Sequence, residues 1–504
     1  MRKNLFLLLF IFLADKAHSN IDTGRLRTLI VMFDGLRPDY IHPDIMPRLY
    51  AFSKEGSYSN NHRSVYPTVT RVNAASYATG SYPATHGLME NTLYLPALDS
   101  SGTISTGNAA NLMKIEEQTG GKLLATPSLG EILQQHGEQL FVYSSGTTGQ
   151  ALLQNHKVKG AVINPDLILP GSLKADIIQQ IGVPPADATP NKARHIWITD
   201  ALCKYTLSPD GPLVSAIWFS DPDGAAHTHG IGIPITMESI KNVDAQFGRI
   251  LDSIDAKGLK DHFNIIISTD HGFISYRGSK SLNEFLVEKG LKESKSSSDV
   301  VIAGSAIYVK GRDRTKIRKI VQALQQEEWV GAVFTASEKK GSDKGFVKGT
   351  LSFDAMNWQH PQRAGDIVVA QAWDDEKNQF GYAGMAYANG PAGHGGASKY
   401  EMQIALITRG PSFKPGYISE IPSSNIDMAP TVLHLYGITP PATMQGRVLK
   451  ELFRNTPTDT HYQPAVKIIR SEVKTPKGKF TSEMETMEYD GHRYINFFRA
   501  VRTP

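Results

Sequence analysis

Seven residues of this chain are of types that bind divalent metals or attack phosphorus: Asp34, Thr70, Asp223, His227, Asp270, His271 and His394. Three of the acids stand where an apolar run stops. Residues 28–33 lead into Asp34, residues 212–219 into Ser220-Asp221-Pro222-Asp223, and residues 263–268 into Thr269-Asp270-His271-Gly272. Such continuous apolar runs read as buried parallel strands, and open α/β sheets bind ligands beyond the carboxyl ends of their strands. Three acid-bearing turns therefore point into one crevice. Mixed Asp/His ligation suits zinc, with manganese as the alternative, and two such ions at a hydroxyl support phosphoryl transfer.

Singly, each residue has a plainer explanation. Asp223 and His227 are four apart, a spacing common on solvated helix faces. Asp270 could cap a helix, and Asp34, before Gly35, could be a turn residue. His394 lies in Gly393-His394-Gly395-Gly396, a loop with few side chains to bury a histidine for packing. Together these explanations fail, because carboxylates and imidazoles converging at strand ends repel or lose solvation without a cation. Thr70 precedes a small-residue stretch that runs helically to Gly80. That puts it at a helix N-terminus, where free N–H groups attract anions, although a simple N-cap would serve as well.

The elements that must position these residues alternate between strand and helix patterns. Strands are expected over 28–33, 139–144, 212–219 and 263–268, and helices over 46–55 and 237–256. This predicts an α/β fold with a mostly parallel sheet sandwiched by helices. Residues 300–365 read as a smaller inserted α+β unit, with a strand over 300–309, a helix over 315–326 and a strand from 331. The core sheet is expected to resume with 366–370 and 403–408. From 463, polar and apolar residues alternate around an Asp490-Gly491 turn, which predicts an antiparallel appendage. The expected divisions are a signal peptide over 1–19, a core over 20–299 and 366–455, a cap-like insert over 300–365, and a β appendage over 456–504.

Arg2 and Lys3, an apolar run over 5–13 and Ala17-His18-Ser19 make a secretory signal with cleavage after Ser19. The run is too short to span a bilayer, and no later segment is long and apolar enough. A periplasmic or secreted protein is expected. Cys203 is the only cysteine, which excludes an intramolecular disulfide and a thiolate metal cluster. Its helical surroundings suit a small buried apolar residue better than a nucleophile. A net charge of +4 over 504 residues, with no concentrated basic stripe, argues against a nucleic-acid-binding surface.

The motifs resemble the alkaline phosphatase superfamily, and within it the type I phosphodiesterase/nucleotide pyrophosphatase family. The resemblance runs from about residue 27 to 453. It is carried by Phe33-Asp34-Gly35, Thr70 with Asn73, residues 82–91, Asp221-Pro222-Asp223 with His227, residues 269–272, Gly393-His394-Gly395, and residues 425–438. It implies two zinc ions, one held by Asp34, Asp270 and His271 and also binding Thr70, the other held by Asp223, His227 and His394. Thr70 would attack phosphorus and form a phosphothreonine, while Asn91 and the Thr70 N–H stabilise a non-bridging oxygen. Asn73 is expected to support the turn. Asp221 competes with Asp223 as ligand, and the spacing to His227 favours Asp223.

One departure stands out. Nucleotide pyrophosphatases carry an aromatic-proline pair after the nucleophile, where this chain has Arg71 and Val72. Arg71 can grip phosphate oxygens, which favours extra negative charge on a small-molecule phosphoester substrate. Lys157-Val158-Lys159 resembles the Lys-x-Arg of superfamily phosphomonoesterases, although an exposed basic segment explains it as well. The favoured reading is phosphodiester or pyrophosphate hydrolysis. Its alternatives are a phosphomonoesterase, a phosphonate hydrolase, and a metal-stabilised binding protein without activity. A sulfatase is disfavoured, because the nucleophile position holds Thr.

Overall fold

A computed structural model describes residues 25–100, 102–457 and 462–504, so the expected signal peptide lies outside the described residues. The apolar runs become the strands of one large sheet: β1 (Arg27–Phe33), β2 (Ser57–Arg63), β3 (Leu140–Ser144), β4 (Gly160–Asn164), β5 (Leu167–Leu169), β6 (Val214–Phe219), β7 (Phe263–Ser268), β8 (Gln403–Arg409), β9 (Tyr417–Ser419) and β10 (Ser423–Ser424). Their order is β9-β2-β8-β7-β1-β6-β3-β4-β5, with β10 paired on β2. The five central strands, β7-β1-β6-β3-β4, are all parallel, and antiparallel β8 and β5 flank them. Ile30 lies opposite Ala216 on one side and Ile266 on the other, so the acids after β1, β6 and β7 leave the sheet at one edge.

Six helices matter for the site: α1 (Thr70–Thr79), α2 (Thr148–Gln154), α3 (Lys192–Tyr205), α4 (Asp223–His229), α5 (Pro234–Ala256) and α6 (Met428–Leu435). Side chains alternate across a strand, and the two faces of β1 enter two cores. Ile30 and Met32 pack with residues of α1, α2 and α6. Leu29, Val31 and Phe33 pack with Trp197, Ile198 and Leu202 of α3 and with Ile240, Val243 and Phe247 of α5. Both faces being covered, the central strands read as unbroken apolar runs.

The smaller sheet corrects two expectations. Residues 300–309 are two antiparallel strands, Val300–Ala303 and Ala306–Val309, because Gly304 turns the chain at φ +60°. Ile367–Gln371 does not rejoin the core sheet; it pairs with Ala306–Val309 and Val330–Thr335 in the smaller one. A run buried on both faces fits either sheet, so its pattern cannot say which. Ile307, Val333 and Val369 lie under the helix Arg314–Leu324, while Ala306, Phe334 and Val368 turn into the main core.

The tail forms a three-stranded antiparallel sheet, Val466–Thr475, Gly478–Tyr489 and His492–Thr503, with the Asp490-Gly491 turn at its second hairpin. It is seated on the molecule. The Phe498 ring meets Tyr66 at 4.7 Å and Phe334 at 4.8 Å between centroids, tying the tail to the segment before Thr70 and to the smaller sheet. Among the described residues, no helix is long and apolar enough to cross a membrane.

Candidate active site

The acids converge because the turns after β1, β6 and β7 interlock. Gly35 takes φ +69°, and a side chain there would lie 3.1 Å from the Asp223 Cβ. Only glycine allows that approach without strain. The Gly35 N–H donates to Asp270 Oδ1 at 3.0 Å, and the Asp223 N–H donates to the Asp34 carbonyl at 3.1 Å. One oxygen of each of two acids is thus fixed: Asp270 Oδ1 also accepts from the His271 N–H, and Asp34 Oδ2 accepts from Trp218 Nε1 at 2.9 Å.

The remaining oxygens, Asp34 Oδ1, Asp270 Oδ2 and Asp223 Oδ1, are buried without a hydrogen-bond partner. Imidazole nitrogens face them. His271 Nε2 is 3.0 Å from Asp270 Oδ2, 3.6 Å from Asp34 Oδ1 and 3.3 Å from Thr70 Oγ1. His394 Nε2 and His227 Nε2 are 3.1 and 3.3 Å from Asp223 Oδ1. Carbonyls take the far nitrogens, with His271 Nδ1 on Gly272 and His394 Nδ1 on Thr68. Those bonds leave the Nε2 lone pairs of neutral rings aimed at carboxylates, an arrangement that a cation between them resolves. Two groups have the donors for this, Asp34/Asp270/His271 and Asp223/His227/His394. They touch where the His271 and His394 rings stack at 3.5 Å. The residues fit a pair of divalent ions with N/O coordination.

Burial works to lower the imidazoles of His227 and His271, but Asp223 and Asp270 outweigh it and raise them. Burial, then the Asp270 and Asp223 charges, push the Asp34 carboxyl well above the usual carboxylate range. Burial also works to raise Asp223, but His227 and His394 outweigh it and hold that carboxyl well below its usual range. Burial, with the His271 charge, lowers His394 to about 4. His394 is more enclosed than its glycine-rich loop suggested, with a side chain 6% exposed between the two groups.

Thr70 is the first residue of α1 and is 6% exposed. Asn91 Oδ1 accepts from the Arg71 N–H at 3.2 Å, holding the carboxamide against the first turn of α1. Asn73 braces that entry from behind, bonding both the N–H and the carbonyl of Val65. Two cavities flank the cluster. One of about 300 Å³ runs from Asp34, Thr70 and Asp223 past Arg71 over the carboxyl ends of β6, β3 and β4. The other, of about 500 Å³, lies between Asn91, His227 and His394 and the smaller unit, with Trp329 and Tyr387 in its wall.

Lys157 and Lys159 are not brought to this site. They lie at the amino end of the sheet, where Lys159 directly precedes β4 and its carbonyl accepts from the N–H of Leu140, the first residue of β3. Lys157 pairs there with Glu116. The short spacing of two lysines carried no information on which end of a strand they occupy. Asp221 is committed elsewhere, its Oδ2 held by His195 Nε2 at 2.9 Å and the Asn191 N–H at 2.8 Å. Trp218 is a functional neighbour that the sequence hides. It sits in an apolar run and reads as core, yet it fixes Asp34. Glu90 is another, its Oε1 accepting from the N–H and hydroxyl of Ser305 and linking the Asn91 loop to the smaller sheet.

Residues 28–376 match the profile of the family described as "Type I phosphodiesterase / nucleotide pyrophosphatase". The mouse ectonucleotide pyrophosphatase/phosphodiesterase family member 1 is 27% identical over 250 residues, 49% of this chain and 24% of that protein. The chain thus aligns with about a quarter of that relative's length. Mouse bis(5'-adenosyl)-triphosphatase enpp4 is 23% identical over 428 residues, 83% of this chain and 79% of that protein. Among solved structures, murine ectonucleotide pyrophosphatase / phosphodiesterase 5 superposes with a TM-score of 0.61 at 17% identity, covering 85% of this chain and 100% of that one. An inactive form of that protein in complex with AMP gives a TM-score of 0.62. These structural likenesses are likenesses of fold.

Proposed function

The chain belongs to the type I phosphodiesterase/nucleotide pyrophosphatase family, and from that premise we propose that it hydrolyses phosphodiester or pyrophosphate bonds through a covalent phosphothreonine at Thr70. The observation that carries this reading is the convergence of three unpartnered carboxylate oxygens and three imidazole nitrogens beside the Thr70 hydroxyl. Asp34, Asp270 and His271 would hold one zinc ion, and Asp223, His227 and His394 the other. Bound there, the pair would lower the pKa of a hydroxyl and neutralise charge developing on oxygen.

The chain's own groups do the rest. The Thr70 hydroxyl gives up its proton as Oγ attacks phosphorus; a new P–O bond forms, the bond to the leaving oxygen breaks on the far side, and the departing alkoxide or phosphate takes up a proton from solvent. Water then breaks the Thr70–phosphorus bond, regenerating the hydroxyl and releasing a phosphomonoester. The Asn91 Nδ2, which makes no hydrogen bond to the described residues, and the N–H groups at the start of α1 are the donors available to a non-bridging oxygen. Buried walls keep the charges in a low-dielectric setting, where such donors act most strongly.

The test is hydrolysis by zinc-loaded protein of bis(nitrophenyl) phosphate against nitrophenyl phosphate. Preference for the diester is expected. Preference for the monoester would replace this reading with a phosphomonoesterase. No turnover of either, with two ions bound per chain, would favour a metal-stabilised binding protein.

A further inference from the structure

Resting on that reading, we propose that the 300 Å³ cavity beside Thr70 is an anion socket. It selects phosphodiesters in which one arm carries a second negatively charged group, such as a carboxylate or a further phosphate, and Arg71 and Gln150 are its specificity-determining residues.

Beyond Asp34 and Asp223 of the metal-ligand cluster, the acids of the cavity wall already have partners. Asp166 takes two bonds from Arg194, at 2.7 and 3.0 Å, Asp187 Oδ1 accepts from Asn191 Nδ2 at 2.9 Å, and Asp221 is held by His195. Two donors are left over. The Arg71 guanidinium makes no hydrogen bond or ion pair among the described residues, and its Nε is buried. Gln150, on α2 and 1% exposed, accepts at Oε1 from the Ser144 hydroxyl at 2.5 Å, while its Nε2 has no partner. Asn191 Oδ1 is left over as an acceptor, beside the Oδ1 atoms of Asp34 and Asp223 that face the imidazoles.

Leaving buried donors without partners is costly, more so for a charged group, so two in one cavity point to a ligand that supplies acceptors. A guanidinium fork matches the paired oxygens of a carboxylate or phosphate. No aromatic residue lines this cavity among the described residues, so it has no ring on which a base could stack. The aromatic side chains Trp329 and Tyr387 lie in the other cavity, beyond His227 and His394. One arm of a diester thus meets a polar wall that presents the Arg71 guanidinium, and the other an aromatic one.

The experiment measures binding by calorimetry to the zinc-loaded Thr70→Ala protein. The probes are ethyl phosphate, phosphoglycolate (the same skeleton with a carboxylate) and ethylene glycol bisphosphate. At least one doubly anionic probe is expected to bind about tenfold or more tightly than ethyl phosphate, and the tighter of the two identifies the preferred group. Arg71→Met and Gln150→Glu should each abolish that advantage while leaving ethyl phosphate within about twofold. Having two variants guards against a folding defect in either. Three results overturn the proposal: equal affinity for all three probes, an advantage that survives both variants (the extra anion then sits on the metals), or a uniform loss across probes in Arg71→Met (Arg71 then grips the reacting phosphate). Turnover of bis(nitrophenyl) phosphate by the unmutated protein separates the two levels. If it occurs without Arg71-dependent selectivity, the socket fails and the phosphodiesterase reading stands; if it never occurs, the reading itself fails.

Discussion

At the carboxyl end of the parallel sheet, the acids after β1, β6 and β7 each keep one oxygen without a hydrogen-bond partner. At the amino end of the same sheet, Arg25, Arg27 and Lys157 are committed to protein partners. Arg27 Nη1 donates to the carbonyls of Thr206 and Ser208, Arg25 pairs with Glu138, and Lys157 pairs with Glu116. Both ends consist of charged residues flanking apolar strands. They differ in whether the fold supplies a counter-group. Where it does, the charge holds the protein together; where it withholds one from several like charges at once, the structure calls for a ligand.

The comparison is tested most severely at Thr70. Thr70→Ala is expected to lower turnover by about 10⁴-fold or more, with bound metal and melting temperature unchanged; steady-state kinetics alongside metal analysis checks both halves. Asn91→Ala should lower kcat by about 10²–10³-fold, the effect of losing one oxyanion donor, with KM nearly constant. Trp218→Phe removes the bond that orients Asp34 and should weaken zinc binding by about 10–100-fold, measured by chelator competition; an unchanged affinity would mean that Asp34 is held well enough by the turn alone. At the opposite end, Lys157→Ala should change kcat/KM by less than about twofold and stability by no more than about 1 kcal/mol, as for a partly exposed surface ion pair. A large loss of activity there would erase the contrast between the two ends.

The candidate ligand set is legible in the sequence because strand termini write themselves plainly: an apolar run ending in Asp or Asp-His states both the element and the end of it. Asp34, Asp223 and Asp270 show this, and Gly35 marks the tight approach between two of them. What is not legible depends on which elements meet in space. The run 366–370 is a good strand for either sheet, and only its pairing with Val330–Thr335 assigns it. Trp218 is indistinguishable from core until its indole N–H is seen on Asp34. Gln150 and Asn191 belong to segments remote from any motif, and they become notable only because each has an atom left unpaired in the cavity that Thr70 lines. Lys157 and Lys159 mislead for the converse reason, since a two-residue spacing carries chemistry but no address.

The central claim is that the carboxyl-end clusters are two distinct sites for divalent ions, and metal stoichiometry tests it most directly. Zinc per chain would be measured by elemental analysis in the unaltered protein, in Asp270→Asn and in Asp223→Asn, each shown folded by circular dichroism. The account predicts about two ions in the first and about one in each variant. A folded protein that binds none, or whose count neither substitution alters, would contradict it.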